Sequence, residues 1–121
     1  MRLFALRGAI TVERNDAPEI LERTTELMRA IMERNALSPD DVVSCIFTVT
    51  ADLDAEFPAV AARAVGFELV PLLCAREIPV PGSLPRVIRV MIHYYAPEDH
   101  RPAHVYLGEA QSLRADLAAA Q

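Results

Sequence analysis

Apolar residues occupy both alternating sets of positions in residues 2 to 7, Phe4 and Leu6 against Leu3 and Ala5, which predicts a strand covered on both faces and ending at Arg7-Gly8. The period then changes. Between Ala17 and Asn35, residues Ile20, Leu21, Thr24, Leu27, Met28, Ile31 and Met32 recur along one helical stripe, with Asp16 as N-cap and Pro18 in the first turn. Ser38-Pro39-Asp40-Asp41 supplies a cap, an early proline and an acidic start, the signature of one short helical turn, and leads into the β-branched run Val42 to Thr50. Phe57 to Val65 opens on proline and stops before Gly66, a second and shorter helix. Further strands are expected from Glu68 to about Cys74 and from Arg86 to Tyr95, separated by a stiff loop at residues 81 to 85 with two prolines. A short extended piece, His104 to Leu107, and a helical turn from Glu109 to Leu113 close the pattern.

These elements predict one α+β domain over residues 1 to 121, a mixed sheet with helices on one face. The helices are too few to cover both faces, and another copy of the same chain is the simplest cover for the second. The 52% apolar share, generous for an isolated monomer, agrees with buried subunit contacts.

Seventeen carboxylates against twelve basic residues give a net charge of −5, which argues against nucleic acid or an anionic membrane as partner. Every basic residue is arginine, so a bound anion would meet a rigid, permanently charged fork. Cys45 and Cys74 stand apart in apolar surroundings without metal-ligand spacing, as free thiols would in a reducing cytoplasm. The apolar run at the N-terminus is too short for a signal peptide, and no stretch has the length of a membrane span.

Within Arg86 to Tyr95, alternation sets Ile88, Val90, Ile92 and Tyr94 on one face, and Val87, Arg89, Met91, His93 and Tyr95 on the other. The first is an ordinary core face. The second carries one full charge, and because burying an unpaired guanidinium costs several kcal/mol, Arg89 either reaches solvent or receives an anion. Arg7 next to Gly8 marks a place where a ligand or backbone can come close. Cys74 and Glu77, three residues apart, face oppositely under strict alternation, so a shared site would require the strand to bulge or stop. His93, His100 and His104 have no ligand spacing and read as structural or surface residues. Nucleophile elbows, HExxH, phosphate-cradling loops and dinucleotide fingerprints are all missing, which leaves charges and hydrogen bonds as the available chemistry.

Four blocks, RGAITVE at 7 to 13, FPAVAAR at 57 to 63, VPLLCAREIPVPGSLPRVIRV at 70 to 90 and HVYLGEAQSLRADL at 104 to 117, together resemble the AroH-type monofunctional chorismate mutases, in order and nearly end to end. The resemblance implies a homotrimeric pseudo-α/β-barrel with active sites between subunits. It also implies rearrangement of chorismate to prephenate with no cofactor and no metal. Carried over residue by residue, it implies Arg89 at the ether oxygen, Arg7 on a substrate carboxylate and Glu77 on the ring hydroxyl. Cys74 and Phe57 would line the pocket, Arg63 its mouth, Tyr106 a carboxylate, and Leu113 with Arg114 a partial cover. Val60 and Ala115 depart from common lysine and proline positions of the family, outside this charged set. Imine deaminases of the Rid type share the trimeric interface site, and a silent dicarboxylate-binding trimer is a further alternative, but these motif blocks and the joint presence of Arg7, Glu77 and Arg89 favour the mutase.

Overall fold

A computed structural model describes residues 1–113. Strands β1 (Arg2–Thr11), β2 (Val42–Val49), β3 (Leu72–Arg76), β4 (Val87–Ala96) and β5 (Val105–Leu107) form one mixed sheet in the order β3-β2-β4-β1-β5. The central β4 runs antiparallel to β1 and β2, while β3 lies parallel to β2 and β5 parallel to β1. Helices α1 (Ala17–Arg34) and α2 (Pro58–Ala62) connect strands that run the same way and pack on one face, as the pattern predicts for an α+β domain.

The caps form as read. Asp16 accepts the Glu19 N–H at 3.2 Å, and Ser38 opens a 3₁₀ turn at Pro39–Asp41. Ile20, Leu27, Met28 and Ile31 of α1 are fully buried against Leu6, Ile10, Phe47, Ile88, Ile92 and Tyr94 of the sheet. Buried Thr24 satisfies its hydroxyl on the Ile20 carbonyl at 2.7 Å. Asn35, at the end of α1, bonds both the N–H and the carbonyl of Ala103 (2.8 and 3.0 Å), which fixes the approach to β5.

Two boundaries and one burial pattern differ from expectation. The first strand continues through Gly8 to Thr11, because Gly8 lets α1 come close rather than ending the strand. A Cβ there would lie 2.8 Å from Ile31 Cδ1 and 3.2 Å from the Val105 carbonyl oxygen. The third strand starts at Leu72 instead of Glu68, since α2 runs into a wide turn at Arg63–Phe67 whose Gly66 has φ +112°. Finally, β1 is covered on both faces only near its end: on the side away from the helices Ala9 is buried with Val87 and Ala110, whereas Leu3 is 49% exposed.

Candidate functional site

Cross-strand pairing places residues of all five strands in one row on the sheet face away from the helices: Tyr106 beside Ala9, Ala9 beside Arg89, Arg89 beside Thr48 and Thr48 beside Ala75. In the adjacent row, Arg7 faces Met91, which faces Ile46. Directly paired residues share a face, so Arg7 and Arg89 are diagonal neighbours with only alanine between Arg89 and the tyrosine. Beside these two rows a cavity of about 250 Å³ opens, lined by Arg7, Arg89, Tyr106, Thr48, Ile46 and Met91.

Arg89 is braced from β3. Its Nε lies 3.0 Å from Glu77 Oε2, and the same oxygen accepts the Thr48 hydroxyl at 2.7 Å. The Nε–H is not aligned on that oxygen, so the contact is charge against charge. Among the described residues, Nε is the buried side-chain donor left without a hydrogen bond. Glu77 follows the last residue of β3 and stays in place by donating its N–H to the Val49 carbonyl at 2.9 Å. The start of β4 is tied down too: Arg86, with φ +53°, gives its N–H to Asp52 Oδ2 at 3.0 Å. Leu113 packs with Tyr106, Ala9 and Val87 and closes the end of the row.

The structure thus brings together Arg7, Glu77, Arg89, Tyr106 and Leu113. It does not bring Phe57, Arg63 or Cys74 to them within one chain. Phe57 caps α2 with 66% of its surface exposed, and Arg63 is exposed at the end of that helix. Cys74 pairs with buried Phe47 and packs toward the helix-side core, the opposite face from Glu77, as alternation predicts. Burial, with Cys74 nearby as a lesser cause, pushes the Cys45 thiol up to about 12, an inert core residue. Arg114 lies outside the described residues. Thr48 was not legible as a site residue: its one signal is a hydroxyl on a mostly apolar strand, and only the register sets it beside Arg89.

The histidines have structural partners. Ser44 Oγ lies 3.2 Å from His93 Nδ1, and Tyr94 Oη lies 2.7 Å from His100 Nε2. His104, just before β5, accepts the Arg7 N–H on Nδ1 at 3.0 Å, so its ring must be neutral at that nitrogen. Burial first, and the Arg7 charge second, hold its pKa below the usual 6.5. The folded chain therefore binds this proton less readily than the unfolded one. The stability tied to the neutral ring is complete above pH 6.5 and is lost as pH falls through the lower folded-state pKa. His104→Asn keeps an acceptor near the Nδ1 position but cannot titrate. Melting curves of the two proteins should separate from neutral pH to about pH 5, wild type losing more; parallel curves would assign the acid sensitivity elsewhere.

Larger hollows exist, of about 430 Å³ beside Arg86 and Glu19 and of about 400 Å³ beside Tyr94 and His100. Several of their polar groups are engaged: Arg86 Nε on the Val12 carbonyl, Glu19 on the N–H groups of Glu13 and Arg14, and His100 on Tyr94. A shallow hollow of about 700 Å³ along α1 is lined by Arg29 among Glu22, Glu26 and Glu33, whereas the 250 Å³ cavity sets two arginines beside one tyrosine. Among the described residues, no helix is long and apolar enough to cross a membrane.

Comparison with known proteins identifies the family. Residues 3–117 match the family model described as chorismate mutase type I. The chain is 52% identical over 119 residues to a chorismate mutase AroH of Thermus thermophilus, covering 96% of this chain and 97% of that one. It is 42% identical over 120 residues to the chorismate mutase AroH of Bacillus subtilis, covering 97% and 94%. A solved chorismate mutase from Clostridium thermocellum superposes with a TM-score of 0.87 at 49% identity, covering 90% of this chain and 98% of that one. Matching the family model over residues 3–117 and these relatives over nearly their full length, this chain belongs to the type I chorismate mutase family.

Proposed function

We propose that the chain converts chorismate to prephenate at the Arg7–Arg89 row, at the branch leading to phenylalanine and tyrosine. The observation that carries this reading is the pair of arginines on one sheet face, one braced by a carboxylate, with Tyr106 closing the row. The rearrangement breaks the ether C–O bond as a C–C bond forms within the same molecule. Electrons circulate in one ring of six atoms, no proton moves, and no co-reactant enters.

Two things can lower its barrier. The first is holding the diaxial chair, in which the reacting carbons are close; Arg7 and Tyr106 would grip carboxylate oxygens for this, and Glu77 would accept the ring hydroxyl. The second is fixed positive charge where the ether oxygen turns negative, the role of Arg89. Its guanidinium lines the cavity and keeps part of its surface open to such an acceptor.

The complete site needs a second copy. Phe57, Arg63 and Cys74 stand away from the row within one chain, and the face bearing the row also exposes Leu3, Leu73, Met91 and Tyr95. Apolar side chains grouped on one face of a small domain favour burial in an interface. A homotrimer whose sheets pack together, each neighbour lending Phe57, Arg63 and Cys74, meets both needs, and Arg114 would belong to the tail over the pocket. The reaction calls for no cofactor, and a cytoplasmic location suits the substrate.

Purified protein should sediment at three times the chain mass, consume the ultraviolet absorbance of chorismate and yield prephenate after extensive dialysis against chelator. An intact trimer with no turnover would sink the assignment.

A further inference from the structure

Thr48 stands in the row of Arg89 and lines the same cavity, yet the catalytic set above does not include it. Its hydroxyl donates to Glu77 Oε2 at 2.7 Å, and that oxygen is the one 3.0 Å from Arg89 Nε. One carboxylate oxygen thus serves two neighbours, and the other is left for a third.

Glu77 needs such a guide. It lies one residue past β3, where its N–H bond to Val49 sets the backbone but not the side chain. Thr48, by contrast, sits inside a paired strand, and its β-branched side chain has few rotamers, so the strand itself aims the hydroxyl. A hydroxyl donating to a carboxylate is also a strong, direction-setting bond.

We propose that Thr48 is a positioning residue: its hydroxyl holds one Glu77 oxygen against Arg89 and turns the other toward the substrate hydroxyl. The inference rests on the proposed chorismate site. It narrows the role of β2 there from a wall to a device that sets the Glu77 rotamer, and through Glu77 the seat of Arg89.

The test is a double-mutant cycle on the intact protein with chorismate as probe. Thr48→Val keeps the shape and removes the hydroxyl, and should lower kcat/KM about tenfold. Thr48→Ser should return to within about twofold of wild type, and in a Glu77→Ala background Thr48→Val should change little. Should melting curves show that Thr48→Val has lost the fold, Thr48→Ala takes its place in the cycle. Full activity in the hydroxyl-less variant, beside a strongly impaired Glu77→Ala, would overturn the Thr48 role and leave the site standing. An equal loss in both backgrounds would also overturn it, because Thr48 would then act without Glu77. Full activity of Glu77→Ala would remove the proposed site itself.

Discussion

Replacing Arg89 by alanine should lower kcat by about 10²–10³-fold, or about 3–4 kcal/mol of barrier, with a much smaller change in KM. The asymmetry follows from the reaction. Chorismate carries its full charge on two carboxylates that Arg7 and Tyr106 can hold, whereas the ether oxygen becomes strongly negative only as its bond to carbon breaks. A donor aimed at that oxygen therefore binds the transition state in preference to the ground state. Lysine at the same position would supply charge without the planar fork, and should recover only part of the loss. Steady-state kinetics on folded variant protein decide the matter: equal losses in kcat and in affinity would mean that Arg89 only holds substrate.

Gly8→Val should destabilise the fold by about 1–3 kcal/mol and weaken activity together with it. The added side chain would push into Ile31 Cδ1, Leu27 Cδ1 and the Val105 carbonyl, all within 3.3 Å of the position of its Cβ. The first two are flexible ends and can shift, but Val105 is backbone in β5, next to Tyr106. Relief of that contact moves β5 away from β1, and Tyr106 moves with it. Denaturant melts at fixed protein concentration, paired with chorismate turnover, test both halves. A variant of unchanged stability would mean that the α1–β1 contact is looser than it looks.

Much of this architecture was legible from local pattern, because local rules suffice for local structure. The stripe from Ile20 to Met32, with Asp16 and Pro18 at its start, specified α1 without reference to any other residue. Alternation in Arg86 to Tyr95 likewise named the buried set Ile88, Val90, Ile92 and Tyr94. Where the prediction slipped, at Gly8 and at Glu68, a glycine read as punctuation answered a demand from distant residues: room for α1 at Gly8, and a left-handed turn beside Pro39 at Gly66.

The site divides in the same way. Arg89 was marked by its own strand, because a charge among apolar residues is visible locally, and the four motif blocks supplied Arg7, Glu77 and Tyr106 as companions. Which strand or helix face each residue occupies could be read locally, since it depends on a period of two or of 3.6 residues. The row itself comes from long-range pairing. Register between strand residues up to 97 positions apart, as Gly8 and Val105 are, follows from the packing of the whole sheet on α1 and not from any window of sequence. That register sets Thr48 beside Arg89 and lets one oxygen of Glu77 serve both.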